Sequence, residues 1–244
     1  MTSTTPPSTG VLSSSLPGRI ASVRHSVIVV GVLLTLAALG ALAQARNTGG
    51  GAALAQPRKV IPLYLSLIAA EWGLFYLVLS GLHSGTKSWR DLIGGQWISR
   101  YHAFRDLLLA LAFWALWAAV ATLVKSWLAP DTAKSISTLL PHTPADVLIW
   151  IALSMSAGFC EEFVYRGYLQ QQFEALTGSP FWALLLQALL FGVSHGYQGA
   201  RQVAVISVYG LLFGLLARWR RSLRPGMMAH AWTDIAGGIV FPSA

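Results

Sequence analysis

Apolar blocks of about 20 residues recur along this chain, and charged residues lie mostly between the blocks. The hydrocarbon core of a bilayer is about 30 Å thick, so an α-helix of about 20 residues is long enough to cross it. Only 11% of the 244 residues are charged, whereas a soluble domain ordinarily carries about 25%. We therefore predict an all-α fold, a polytopic bundle of transmembrane helices.

Seven apolar blocks are candidate membrane spans, separated by stretches that contain Gly, Pro or charged residues. They cover residues 26–45, 60–82, 104–128, 144–173, 181–195, 203–217 and 226–241. Residues 1–18 are rich in Ser, Thr, Pro and Gly, a composition that buries too little apolar surface to fold, so we predict a disordered tail. The chain would then consist of this tail, N-terminal transmembrane helices over 19–144 and a C-terminal helical bundle over 145–244.

The first apolar block permits two interpretations. It ends in Ala43-Gln44-Ala45, which resembles a signal-peptidase cleavage site, so the block could be a removed signal peptide. It is, however, longer than the apolar region of an ordinary signal peptide. We therefore predict that it is retained as the first transmembrane helix.

The net charge of +8 raises the question of nucleic-acid binding, and the positions of the basic residues answer it. They cluster in short connections between apolar blocks, as expected for the cytoplasmic loops of a membrane protein. One cluster contains Lys87, Arg90, Arg100 and Arg105, and another contains Arg218, Arg220, Arg221 and Arg224. We therefore expect membrane lipids and no nucleic acid as partners, a location in the bacterial inner membrane, and a cytoplasmic N-terminus.

Ionisable residues also lie inside the apolar blocks, where a charged side chain is energetically unfavourable. They are Glu71, Glu161, Glu162, His195, His230 and Asp234. All except Glu71 lie in the C-terminal half of the chain, so we expect their side chains to share one site and to compensate one another. Cys160 is the only cysteine, so no intramolecular disulfide is expected and any metal would be bound by His and carboxylate.

Spacing along a helix predicts two side-chain pairs within this set. Glu162 and Arg166 are four residues apart, so they lie on one helical face and can form an ion pair. Glu161 is then rotated about 100 degrees from Glu162 and points elsewhere. His230 and Asp234 are also four residues apart, so their side chains can meet or point into one cavity. A purely structural role in helix packing is the alternative for each pair.

Two imidazoles and a carboxylate from three helices can perform hydrolysis in either of two ways. They can hold Zn²⁺ with one position open for water, and Glu161, His195 and His230 are the candidate ligands. They can also activate a water molecule directly, with a side chain acting as the general base. The residues alone leave this choice open.

Three motifs in this region resemble those of the CPBP family, the CAAX-protease and bacteriocin-processing membrane peptidases. Residues 161–166 (EEFVYR) are similar to its EExxxR motif, residues 191–195 (FGVSH) to FxxxH, and residues 230–234 (HAWTD) to Hxxx(N/D). Each motif is short, but all three occur in family order on successive apolar helices, so the resemblance covers residues 145–240. Residues 1–144 resemble the family only in being hydrophobic.

The resemblance implies that the C-terminal bundle is the catalytic part of an intramembrane endopeptidase. Its substrate would be a peptide or protein that is lipidated or carries a leader sequence. Glu161 and His195 would activate the attacking water, and Glu162 and Arg166 would form a structural ion pair.

The resemblance also implies that His230 and Asp234 stabilise the oxyanion or take part in metal binding. The eukaryotic CAAX peptidases, however, have Asn at the position of Asp234. An ionised carboxylate cannot donate a hydrogen bond to an oxyanion, whereas an amide can. We therefore expect Asp234 to orient His230 instead.

The seven-span prediction places Glu161, His195 and His230 at different depths in the membrane. Helical rise places Glu161 and His230 roughly 6 to 10 Å from the cytoplasmic ends of their helices, but it places His195 about 20 Å from that side. For the three side chains to meet, the fifth helix must start later or tilt strongly, or the loop 174–180 must dip into the membrane.

Two other functions remain open at this point. A non-catalytic membrane scaffold of the same fold would keep the polar residues for packing. A small transporter or proton relay would also place carboxylates and histidines in membrane helices. A continuous polar path from Glu71 through the cluster to both membrane faces would favour the relay.

Overall fold

The structure, a computed structural model, describes residues 18–49, 60–82, 87–128 and 139–239, and within these ranges the chain is helical and has no β-strand. The α-helices are α1 Val23–Gly49, α2 Ile61–Leu82, α3 Trp89–Ile93, α4 Arg100–Trp127, α5 Pro144–Glu161, α6 Gln170–Thr177, α7 Pro180–Ser194, α8 Ala200–Arg220 and α9 Arg224–Ile239. A π-helical segment, Glu162–Leu169, joins α5 to α6, and a 3₁₀ turn, Gly196–Gln198, joins α7 to α8. The all-α fold class is confirmed, while the predicted disordered tail lies, apart from Gly18, outside the described residues.

Five helical stretches in the described part of the chain are long and apolar enough to cross a membrane. They are Val23–Arg46, Ile61–Leu82, Arg100–Trp127, Pro144–Thr177 and Ala200–Arg220. The other two predicted spans form α7, an apolar helix of 15 residues, and α9, a helix of 16 residues. Each predicted block is thus a helix, and the polytopic bundle is confirmed. The short helix α3 was not predicted.

The helix α5, the π-helical segment and α6 form one continuous helix from Pro144 to Thr177. It begins with a capping box in which Thr143 and Asp146 each accept a hydrogen bond from the other's backbone N–H. It ends at Gly178, whose φ of 67° is a conformation that favours glycine. All eight residues of the π-helical segment are buried, and such segments occur frequently at functional sites.

The length of this helix explains how Glu161 and His195 can lie at the same level, although the sequence predicted different depths for them. Glu161 lies 16 residues before Thr177, and His195 lies 15 residues after Pro180. At about 1.5 Å per residue, both lie roughly 22 to 24 Å from the connection between α6 and α7. The helix ends at Thr177 and not near residue 173, and Glu161 lies further from its end than the roughly 6 to 10 Å that the sequence predicted.

The start of α9 lies beside the π-helical segment, and the chain around α3 holds it there. The backbone N–H of Leu223 donates to the carbonyl of Ile93 at 2.8 Å. A Cβ atom on Gly167 would lie 3.1 Å from Leu223 Cδ1, so Leu223 packs directly against the π-helical segment. His230, about two turns further along α9, therefore reaches the level of the two adjacent glutamates.

Candidate active site

The crossing of α5 and α9 is close enough to bring their side chains into direct contact. A Cβ atom on Gly158 would lie 2.7 Å from the carbonyl oxygen of Met227 and 2.8 Å from the backbone nitrogen of Ala231. Glycine therefore permits this approach of the two backbones, as is common where membrane helices pack through small residues. The two glutamates of the EExxxR motif lie one turn beyond Gly158 and contact α9.

Glu162 is the centre of a buried polar cluster. Its Oε1 accepts a hydrogen bond from His230 Nδ1 at 3.0 Å and lies 3.0 Å from Arg166 Nη1. The three side chains are at most 4% exposed, so His230 and Arg166 compensate a carboxylate that would be unfavourable alone in the interior. The expected contact between Glu162 and Arg166 is present. The bond to His230 was not predicted, so the assignment of Glu162 to an ion pair alone was incomplete.

Aromatic rings enclose the guanidinium group of Arg166. Its Cζ lies 4.3 Å from the ring centroid of Phe191, 5.6 Å from that of Phe213 and 5.8 Å from that of Tyr165. The guanidinium nitrogens form no aligned hydrogen bond within the described residues, so the charge of Glu162 and the faces of these rings stabilise them. Phe191, the first residue of the FxxxH motif, thus contacts the buried ion pair directly.

His230 presents its second ring nitrogen to two further carboxyl groups. Its Nε2 lies 3.6 Å from Glu161 Oε2 and 3.6 Å from Asp234 Oδ2. The side chains of Glu161 and Asp234 are 15% and 36% exposed, so Nε2 faces the more accessible side of the cluster. Asp234, which was expected to orient His230, thus lies near its Nε2, while Glu162 makes the hydrogen bond to Nδ1.

His195 follows the last residue of α7 and caps this end of the helix. Its Nδ1 lies 2.9 Å from the carbonyl oxygen of Phe191. Because a carbonyl only accepts, Nδ1 carries the hydrogen, and Nε2 of the neutral ring is able to accept a proton. The ring lies 4.9 Å from Phe191 and 6.2 Å from Tyr197, measured between centroids. The ring of Phe191 also lies 6.0 Å from that of His230, so the end of α7 adjoins α9 at the same site.

The six predicted site residues therefore meet where α5, the π-helical segment, α7 and α9 come together. They are Glu161, Glu162, Arg166, His195, His230 and Asp234. Glu71 lies on the neighbouring helix α2, which packs against the π-helical segment through Phe75 and Phe163, and it interacts electrostatically with Glu161 and Asp234. The sequence marked Glu71 as a carboxylate inside an apolar helix, but no spacing rule linked it to the three motifs.

Two tyrosines that no motif singled out also border the site. The hydroxyl of Tyr165 donates to Ser194 Oγ at 2.7 Å, which fixes the end of α7 next to His195. The ring centroid of Tyr209 lies 5.2 Å from that of His230. Aromatic residues are common in membrane helices, so these positions carried no signal in the sequence.

The residues that were candidate zinc ligands lie in one region but do not converge on one point. Among the described residues, no three His, Cys, Asp or Glu side chains are arranged so that they could hold a metal ion. Zinc ligands lie about 2.0 to 2.2 Å from the ion, so Glu161, His195 and His230 would have to move to coordinate it together.

Comparison with known proteins agrees with the position of the site. Residues 143–236 match the family model described as type II CAAX prenyl endopeptidase Rce1-like. No curated protein and no solved structure gives a significant match to the chain. The matched segment begins at the cap of α5 and contains all three motifs. Over residues 143–236 the chain is therefore similar to the Rce1-like type II CAAX prenyl endopeptidases, which supports the predicted resemblance to the CPBP intramembrane peptidases, and the chain is an integral membrane protein.

Proposed function

We propose that the protein is an endopeptidase that hydrolyses a peptide bond in a membrane-associated substrate, with a water molecule activated by Glu161 and His195. One observation carries the proposal: Glu161 and His230 from two helices lie 3.6 Å apart within an apolar bundle, and Phe191 lies against both His230 and His195. Side chains of this kind are costly at membrane depth and indicate function when they converge.

The residues suit the steps of peptide hydrolysis. The carboxylate of Glu161 and Nε2 of His195 hold a water molecule, and Glu161 takes its proton as the oxygen attacks the scissile carbonyl. A protonated His230, whose charge the adjacent carboxylates balance, donates from Nε2 to the resulting oxyanion. Glu161 then gives its proton to the departing amine as the carbon–nitrogen bond breaks, which returns the site to its first state.

The family description favours a substrate with a prenylated cysteine near its C-terminus. A prenyl chain partitions into the bilayer and raises the local concentration of the attached peptide beside a membrane-embedded site. A leader-type peptide is the second substrate class, because the CPBP family also includes bacteriocin-processing enzymes.

The full-length protein in lipid vesicles is expected to cleave a synthetic peptide in which a farnesylated cysteine precedes the last three residues. Release of the C-terminal tripeptide, followed by mass spectrometry, should be at least about tenfold faster than from the same peptide without the lipid, because the lipid contributes binding energy in the bilayer. Preferential cleavage of leader-type peptides would assign the second substrate class. Failure to cleave either kind would contradict the peptidase proposal.

In an alternative form of this proposal, Glu161, His195 and His230 would bind zinc. The ion would act as a Lewis acid and would activate the attacking water. The side chains in the described part of the chain do not fit such a site without movement. We expect tripeptide release to continue after treatment with a strong chelator. Loss of activity that returns with added Zn²⁺, together with about one bound zinc per chain by mass spectrometry, would replace the metal-free mechanism.

Two non-peptidase functions fit the contacts less well. A scaffold would have no need to place a carboxylate beside the buried imidazole of His230, with Asp234 and His195 next to it. A proton relay would use Glu71, but the described contacts of Glu71 with Glu161 and Asp234 lie within the cluster itself. They favour a single site over a path that leads across the membrane.

A further inference from the structure

Tyr165 links the two helices that carry the groups proposed to activate water. It follows Glu161 by four residues, about one turn of the continuous helix, so the two side chains lie on one side of that helix. Its hydroxyl donates to Ser194 Oγ at 2.7 Å, and Ser194 immediately precedes His195 in the chain. One hydrogen bond therefore connects the side of the helix that carries Glu161 to the end of α7 that carries His195.

His195 depends on such support because it lies just beyond the last residue of α7. Its φ of −100° and ψ of 17° are no longer helical. Its Nδ1 lies 2.9 Å from the carbonyl oxygen of Phe191, so the position of the imidazole follows the last turn of α7. A shift of that turn relative to α5 would change the separation between His195 and Glu161.

The last turn of α7 is held on two sides. On the side of α8, a Cβ atom on Gly192 would lie 2.6 Å from the carbonyl oxygen of Val203, so the two backbones are in close contact. On the side of the π-helical segment, the ring of Tyr165 packs against that of Phe191 with centroids 4.8 Å apart. The hydroxyl of Tyr165 adds a directional contact, which fixes how the end of α7 is turned towards the catalytic helix.

Ser194 transmits this contact to the backbone of α7. Its Oγ accepts from Tyr165 and donates to the carbonyl oxygen of Leu190, one turn earlier, at 2.9 Å. A hydroxyl that accepts one hydrogen bond and donates another is held in one orientation. Tyr165 is only 3% exposed, so water competes little for this bond.

We infer that Tyr165 is a positioning residue: through its hydrogen bond to Ser194 it sets the place of the His195 imidazole relative to the Glu161 carboxylate, so that both groups contact one water molecule. This inference rests on the proposed function. Tyr165 acts through His195 and takes no proton itself, because its hydroxyl is directed at Ser194.

Two tyrosine variants of the π-helical segment test this role in the full-length protein in vesicles. Tyr165→Phe keeps the ring that packs on Phe191 but removes the hydroxyl, so kcat for tripeptide release should fall about tenfold while KM changes less than about twofold. Tyr168→Phe is the matched control, because Tyr168 is also buried but its hydroxyl lies 2.8 Å from Nδ1 of His25 in α1. Its kcat should stay within about twofold of that of the unaltered protein.

A double variant shows whether the bond itself is the origin of the effect. Ser194→Ala removes the partner of the Tyr165 hydroxyl and should lower kcat by a similar factor. Tyr165→Phe combined with Ser194→Ala should be about as slow as the slower single variant, because both substitutions break the same bond. Multiplication of the two losses in the double variant, or equal kcat values for Tyr165→Phe and Tyr168→Phe, would overturn the positioning role.

Hydrogen exchange followed by mass spectrometry gives a readout that needs no turnover. The backbone amides of residues 192–196 should exchange at least about threefold faster in Tyr165→Phe than in the unaltered protein, because the last turn of α7 opens more readily. The same amides should be unchanged in Tyr168→Phe. Unchanged exchange of this segment in Tyr165→Phe would mean that the hydroxyl does not hold the end of α7, and the inference would fail.

These outcomes are separable from a failure of the proposed function. If Glu161→Ala or His195→Ala retained activity, the water-activation mechanism would fail, whatever the hydrogen exchange showed. If both were inactive while Tyr165→Phe were fully active, the mechanism would stand and only the role of Tyr165 would be rejected.

Discussion

Glu161→Ala and His195→Ala are each expected to lower turnover by about 10³-fold or more and to leave the protein folded. Glu161 supplies the base and His195 the second contact to water, so neither can be replaced by an apolar side chain. Neither side chain is fully buried, and His230, which lies 3.6 Å from Glu161, keeps its shorter contact with Glu162 when Glu161 is removed. Their loss should therefore change the thermal unfolding temperature very little.

Matched controls for this experiment lie on the same helices or carry the same chemical group. Glu174→Ala removes a carboxylate of the same continuous helix that pairs with Arg218 at the surface. His102→Ala removes an imidazole at the start of α4 that contacts Ser99. Both variants should release the tripeptide as fast as the unaltered protein does. Activity near that of the unaltered protein in Glu161→Ala or His195→Ala would remove the proposed mechanism.

Glu162→Ala is expected to have the largest effect on stability. It leaves Arg166, whose side chain is 0% exposed, without its carboxylate, and it leaves His230 Nδ1 without its acceptor. Breaking a buried pair by removing one partner costs about 3 to 5 kcal/mol, because the remaining charge is buried without compensation. Activity should be lost as well, since His230 is no longer oriented towards the site.

The loss of stability would be measured as the decrease in the free energy of unfolding, obtained by denaturant titration in detergent. Glu174→Ala again provides the comparison, because its partly exposed pair with Arg218 contributes at most about 1 kcal/mol. The double variant Glu162→Leu with Arg166→Met removes both charges and should recover part of the stability without restoring activity. A Glu162→Ala protein as stable as the control would mean that the cluster does not hold the helices together.

Much of the site could be predicted because helical periodicity relates residues within one helix. The offset of four residues from Glu162 to Arg166 predicted their contact, and it is present at 3.0 Å. The same offset from His230 to Asp234 predicted that both side chains face one cavity, and they lie 3.6 Å apart. The cost of ionisable groups in apolar helices was enough to select this set from the sequence.

The partners across helices could not be predicted, because they depend on how far each helix extends and which faces meet. The bond from His230 to Glu162 depends on the close crossing at Gly158 and on the start of α9 beside the π-helical segment. The position of Glu71 beside the π-helical segment depends on the register of α2, which Phe75 fixes by packing on Phe163.

The sequence by itself determined that this protein is a bundle of membrane helices with buried ionisable residues, because a bilayer admits long apolar helices and penalises isolated charge. Only the tertiary structure decided that Glu162 orients His230 and that Phe191 packs on Arg166. Such contacts arise between residues far apart in the chain, and no local periodicity encodes the packing that joins them.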